Sequence, residues 1–293
     1  MKSILEKEGK KIHANLCEIS DYIYENPELG NEEFKSSEKL ISFLQDHNFE
    51  IEKEFLGIKT AFRATYDSKK EGATIGYLCE YDALPEIGHG CGHNMIGSMS
   101  AGAGIILSKV LDEVGGKIIV YGTPAEETNG AKVIFAEEGV FDELDAAMMV
   151  HPGDKTLASG KSMALYPLQF TYKGKTAHAA SCPHEGINAL NAIIQLFNGI
   201  DALRQHVTPD VRIITQGGVA ANIVPDEATA QFYFRAGTKE TLDDILEKVK
   251  NIAKGAALMT GATLEMSRYE LPNDNLKTHE NLSSAFMENL KAL

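Results

Sequence analysis

Three apolar runs, each followed at once by polar residues able to bind a metal, limit what this chain can fold into. Ile75-Gly76-Tyr77-Leu78-Cys79 leads into Asp82 and then Gly88-His89-Gly90-Cys91-Gly92-His93-Asn94. Lys117-Ile118-Ile119-Val120-Tyr121-Gly122 ends in Thr123-Pro124-Ala125-Glu126-Glu127, and Ala146-Ala147-Met148-Met149-Val150 ends at His151-Pro152. Unbroken, mainly apolar runs suit strands covered on both faces. Helical patterns alternate with them, which predicts a three-layer α/β domain with a mostly parallel sheet. In such sheets ligands sit beyond the carboxyl ends of the strands, where these polar residues fall.

The flanking segments fit that frame. Residues 4–25 read as a helix with Ile12, Leu16, Ile19 and Ile23 on one stripe. Asn26-Pro27-Glu28-Leu29-Gly30 breaks it, and a second helix carries Phe34, Leu40, Ile41 and Leu44. A strand is predicted over 60–66, a helix rich in small residues over 95–114, and a short helix over 131–138. Near residue 162 the pattern changes. A strand (165–172), a helix through Ile187, Ile193 and Leu203, strands at 211–216 and 227–236, a helix through Leu242 and Ile252, and a strand at 262–269 follow. The order β-α-β-β-α-β is that of a ferredoxin-like α+β unit. Residues 162–272 are therefore read as an insertion into a domain made of 1–161 and 273–293.

Charge narrows the partners. Lys and Arg number 28 against 42 Asp and Glu, a formal charge of 28 − 42 = −14. Such a surface repels nucleic acid and anionic membrane, and neither is expected as a partner. The N-terminus lacks the apolar core of a secretory signal, and no stretch approaches the ~20 apolar residues of a membrane span. Cys17, Cys79, Cys91 and Cys182 lie far apart. They read as reduced thiols of a cytoplasmic protein.

The glycine-rich stretch crowds His89, Cys91 and His93 together, and a thiolate with imidazoles suits a transition metal, zinc above all. Glu126-Glu127 taken alone is also what a solvated helix start looks like. Hydrolysis of an amide at a metal, however, needs one carboxylate on the ion and another to take a proton from its water, and adjacent residues can point to separate tasks. His151 is either a hinge histidine or a further ligand. Together Cys91, His93, Glu127 and His151 offer S, N and O donors from three strand ends. His89 reads as structural or supporting, and Lys132 as carrying no signal beyond packing or surface.

These motifs, Tyr81-Asp82-Ala83-Leu84-Pro85, Gly88–Asn94, Thr123–Glu127 and Met149-Val150-His151-Pro152, resemble the aminoacylase/carboxypeptidase amidohydrolases of the M20 metallopeptidase family. The likeness continues through Gly174-Lys175-Thr176-Ala177-His178-Ala179 and Asn222-Ile223-Val224-Pro225-Asp226. It implies that Cys91, His93, Glu127 and His151 hold a divalent metal, as one ion or two, with zinc first and manganese or cobalt as alternatives. It implies Glu126 as general base and Asp82 as the residue that orients the site. The insertion would be a lid and dimerisation domain, making the protein a homodimer. His178 would be an electrophilic donor to the scissile carbonyl, and Asn222 and Arg235 would hold the substrate's carboxylate or carbonyl. The reaction implied is cleavage of an N-acyl amino acid or dipeptide-like amide by metal-activated water.

Asn94 stands where much of the subfamily has Asp, as in the p-aminobenzoyl-glutamate hydrolase and aminoacylase-like branch, which leans the substrate toward dipeptide-like amides. Family members continue through a Gly/Ser-rich loop to a final histidine ligand. The chain is therefore expected to be a truncated form, short of one ligand and weak or inactive. Two other readings stand: a thiol hydrolase with Cys91 as nucleophile, and a non-catalytic binding or dimerisation protein.

Overall fold

The computed structural model describes residues 1–160, 162–178, 182–208 and 226–292. They form two compact units, Met1–Lys155 and Thr156–Leu293. The first contains helices α1 (Lys2–Glu25), α2 (Phe34–Gln45), α3 (His93–Ser108), α4 (Leu111–Val114) and α5 (Ala131–Glu137). Its sheet comprises β1 (Glu50–Lys53), β2 (Phe62–Asp67), β3 (Thr74–Cys79), β4 (Lys117–Gly122) and β5 (Ala146–Met148), in the order β1-β2-β4-β3-β5. β3 is parallel to β4 and β5, while β2 is antiparallel to both β4 and β1, so β2 alone runs against the rest. The sheet is mostly parallel, as the sequence predicts.

Alternation along β4 makes the three layers. Ile118 and Val120 join a core with Ile12, Ile19 and Ile23 of α1, Leu40 and Leu44 of α2, and Ala101 and Ile105 of α3. Ile119 and Tyr121 face the other way, onto Ala131 and Phe135 of α5. Each face thus takes every second residue of one strand. β1 was not foreseen: Glu50-Ile51-Glu52-Lys53 is short and charged, as suits an edge strand.

The predicted helix over 95–114 instead starts at His93 and stops at Ser108, with α4 separate. Gly92 caps it at φ +75°, and a Cβ there would lie 2.9 Å from Cγ of Pro152. Only glycine both adopts that backbone and admits the loop beyond β5. A Cβ on Gly97 would come within 2.8 Å of the Glu80 carbonyl oxygen, so this small-residue helix rides tightly on the end of β3.

The second unit holds β6 (Ala164–Lys173), α6 (Ala189–Leu203), β7 (Glu227–Ala236), α7 (Lys239–Thr260), β8 (Thr263–Ser267) and α8 (Glu280–Lys291). The sheet is antiparallel, in the order β7-β6-β8. Ala230, Phe232 and Phe234 turn into a core with Phe170, Leu196, Ile200 and Val249, while Gln231 and Arg235 point outward. The strand predicted at 211–216 lies outside the described residues. Residues 273–292, read from sequence as part of the first domain, here make contacts within the second unit: Asn273 bridges Leu165, and Ser283 Oγ accepts from the Ser159 amide at 3.2 Å. Among the described residues no helix is long and apolar enough to cross a membrane.

One buried carboxylate ties the first unit together. Glu33 is fully buried; it accepts from the Ala125 amide and the Thr60 hydroxyl, each at 2.8 Å. Ala125 sits at φ +60°, a costly conformation for alanine that its surroundings must hold. Burial raises the Glu33 pKa above its ordinary 4.5 despite these hydrogen bonds. The folded state therefore keeps this proton longer than the unfolded chain. The group's contribution to stability is greatest below the unfolded pKa and is lost as pH rises through the folded one. Glu33→Gln should consequently gain stability relative to the wild type as pH rises from about 4 to 7, read from denaturant midpoints. A difference independent of pH would contradict the assignment.

Candidate metal centre

The parallel order β4-β3-β5 sets the carboxyl ends of three strands side by side along one edge. Beyond β3 come Glu80 and Asp82, beyond β4 Glu126 and Glu127, and beyond β5 His151. α3 begins at the same edge with His93, which is 1% exposed. The sequence assigns ligands to three separate segments, and the sheet brings those segments together.

Asp82 organises the centre. Its Oδ1 accepts from His93 Nδ1 at 2.9 Å, and its Oδ2 accepts from the Glu127 amide at 3.0 Å. With Nδ1 bonded to Asp82, Nε2 is turned into the site, where the neutral imidazole would offer a metal its lone pair. That atom is buried without a hydrogen-bond partner. Around it stand Oε2 of Glu80 at 3.4 Å, Oε1 of Glu127 at 3.8 Å and Oε2 of Glu126 at 4.0 Å. His151 lies edge-on to His93, ring centroids 5.9 Å apart. Its Nδ1–H donates to the Pro152 carbonyl at 2.7 Å, which leaves its Nε2 free as well. Ligand atoms of Cys91, His93 and Glu127 all lie within 4.8 Å of one another, as do those of Glu80, His93 and His151.

The charges fit a cation. Four carboxylates, Glu80, Asp82, Glu126 and Glu127, meet one lysine, Lys132, which pairs with Oε1 of Glu80. Burial works against charge on Asp82, but the His93 hydrogen bond and the Glu127 amide outweigh it and hold its pKa below the ordinary carboxylate value. Burial also opposes charge on His93, yet Asp82 and the neighbouring carboxylates keep its pKa raised. Burial, with Glu80 and Glu127 nearby, raises Glu126 against the pull of Lys132. The Cys91 thiol is pushed up to about 11 by its contact with Glu127, burial and the surrounding carboxylates. Orphaned nitrogen and oxygen atoms, a thiol and excess negative charge together match the donor chemistry of a divalent transition metal. Bonds of about 2.0–2.2 Å put neighbouring ligand atoms about 3.3–3.6 Å apart in a tetrahedron, close to the spacings here.

The structure places the other residues that the sequence singled out. Glu126-Glu127 do not open a helix: α5 begins only at Ala131, and the pair sits in the turn before it. Lys132, which carried no functional signal in the sequence, is the partner of buried Glu80. Asn94 donates to the Ser20 hydroxyl at 3.0 Å, tying α3 to α1. His89 is buried near Tyr24 and borders a cleft of about 460 Å³ that is also lined by Cys91, Met95, His151 and Asp154. His178 and Arg235 are exposed residues of the second unit, Arg235 with its guanidinium 5.8 Å from the Tyr233 ring. Asn222 lies outside the described residues. Glu80 was missed altogether. Its position two residues before Asp82 at a strand end was the available signal.

Residues 165–259 match the peptidase dimerisation domain of the M20 family. Over 291 residues the chain is 35% identical to Xaa-Arg dipeptidase of Mus musculus, covering 94% of this chain and 67% of that one. It is also 35% identical over 272 residues to a p-aminobenzoyl-glutamate hydrolase polypeptide of Escherichia coli, covering 85% and 56%. The chain thus spans only part of the length of these relatives. Two solved structures share the fold: an aminobenzoyl-glutamate utilization protein from Klebsiella pneumoniae (TM-score 0.78, 21% identity, 97% and 82% coverage) and a dinuclear metal-binding M20 peptidase from Bacillus subtilis (0.71, 23%, 96% and 81%). The chain belongs to the M20 family of metallopeptidases and amidohydrolases, hydrolases of amide bonds, near its p-aminobenzoyl-glutamate hydrolase branch.

Because Asp82 sets both the His93 tautomer and the Glu127 backbone, Asp82→Asn should weaken metal binding about 10- to 100-fold. Competition with a chromophoric chelator measures this; unchanged affinity would show that the two hydrogen bonds are dispensable.

Proposed function

We propose that the chain hydrolyses the amide bond of a dipeptide or N-acyl amino acid with a free carboxylate, using a divalent ion held by Cys91, His93, Glu127 and His151. Two donor groups that share His93, one with Cys91 and Glu127 and the other with Glu80 and His151, lie beyond three adjacent parallel strand ends, and this observation carries the reading. An ion bound there would polarise the scissile carbonyl and lower the pKa of water. Zinc suits the mixed thiolate, imidazole and carboxylate donors, with manganese or cobalt as alternatives.

Glu126 is the general base. It lies beside the ligands without pairing to Lys132, and its raised pKa moves it toward the range in which a carboxylate both accepts and returns a proton at neutral pH. It takes the proton of the attacking water and delivers it to the leaving amine. The second unit acts as lid and dimerisation domain, and the protein is a homodimer; the match to a peptidase dimerisation domain supports this. In the same reading, residues 273–293 are the return of the chain toward the catalytic domain. His178 donates to the carbonyl oxygen, and Asn222 and Arg235 hold the substrate's carboxylate or carbonyl, a task suited to the planar fork of arginine. The names of the two relatives favour dipeptides ending in arginine or aryl-amides of glutamate as first substrates to try. The free cysteines support a cytoplasmic setting.

A Cys91 nucleophile is the weaker reading. Reactive thiols need a cationic neighbourhood, and Cys91 is surrounded by carboxylates. A chelator should abolish amide hydrolysis and added zinc or manganese restore it, whereas chelator-resistant activity would favour the thiol enzyme. Glu126→Gln should retain the metal and lower kcat by about two to four orders of magnitude. A variant with wild-type turnover would remove Glu126 from this role.

A further inference from the structure

We propose that Glu80 is itself a metal ligand, binding through Oε2 while Lys132 holds Oε1. This rests on the metal-centre reading above and extends it to a residue that the sequence motifs pass over. Glu80 follows β3 directly and is 1% exposed. One oxygen is paired with Lys132 of α5. The other is buried with no hydrogen-bond partner and faces His93 Nε2, equally unpartnered, at 3.4 Å. With Nδ1 held by Asp82, Nε2 and the Glu80 oxygen face each other without a hydrogen bond in a site shielded from water. Burying such groups unmatched is costly, and a shared cation removes the cost.

An imidazole nitrogen has one lone pair, which serves one ion. The Glu80-His93-His151 group and the Cys91-His93-Glu127 group share His93, so an ion on its Nε2 has Glu80 within reach as well as Glu127. Lys132 has two effects. It orients the carboxylate so that one oxygen alone faces the ion, and it balances charge: a divalent ion and Lys132 together cancel a Cys91 thiolate and the carboxylates of Glu80 and Glu127. The centre then offers more donors than the four the motifs supply, two of them hard carboxylate oxygens beside a soft thiolate.

The test compares the full chain with its Glu80→Gln and Lys132→Met variants, using zinc and cobalt alone as probes. Chelator competition should show that Glu80→Gln weakens zinc binding at least about tenfold. In the cobalt-loaded protein the same variant should change the visible ligand-field spectrum, because the coordination number falls. Lys132→Met leaves the carboxylate with the ion as its only cation. Its zinc-induced rise in Tm should therefore exceed that of the wild type. A loss of less than tenfold in Glu80→Gln, or an unaltered cobalt spectrum, overturns the proposal. Should Glu80→Gln fail to fold, Lys132→Met decides alone: a zinc-induced rise no larger than the wild type's overturns it. Failure of the wild type to bind either ion would instead overturn the metal-centre reading itself, which keeps the two claims separable.

Discussion

Asp82 accepts two hydrogen bonds, and the arrangement of the centre depends on both. One oxygen accepts a hydrogen bond from His93 Nδ1, so the opposite nitrogen is turned inward toward the other donors. The other takes the backbone N–H of Glu127, so the loop after β4 is held against the loop after β3. A single carboxylate thus fixes the tautomer of one ligand and the main chain of another. Its low pKa keeps it charged in both tasks, because the hydrogen bonds outweigh the burial that opposes them.

The surrounding fold tolerates a concentration of negative charge that would otherwise oppose folding. Glu80 is buried against a lysine from a different layer, and Glu33 is buried against a strained alanine backbone. In each case the carboxylate meets a donor that packing holds in place. Ala125 in its left-handed conformation turns the chain so that Glu126 and Glu127 follow side by side in a turn rather than along a helix. Such local strain persists only where neighbours hold it, and here Glu33 does so from the opposite side.

Much of this was legible in the residue order. Apolar runs at β3 and β4, and the alternation in β7, point to strands that the structure contains nearly residue for residue, while β5 stops two residues short of its run. The motifs at their ends named Cys91, His93, Glu127 and His151, which fall in two side-chain groups that share His93. What escaped was whatever lacked a pattern. β1 is a charged edge strand with little apolar content. The start of α3 at His93 depends on Gly92 fitting under Pro152, a contact between segments far apart along the chain. Glu80 and Lys132 each look like ordinary surface residues in a chain rich in charge, and only their pairing within the interior gives them meaning.

The sequence by itself determined the chemistry on offer: a thiol, imidazoles and carboxylates, each placed just past an apolar strand, in an order characteristic of the M20 family. Tertiary structure decided which of their atoms face one another. Residues 80, 93, 127, 132 and 151 become neighbours because β3 lies between β4 and β5 and all three run in the same direction. Strand order of that kind follows from the packing of helices on both faces of the sheet, a long-range balance that spacing along the chain does not encode.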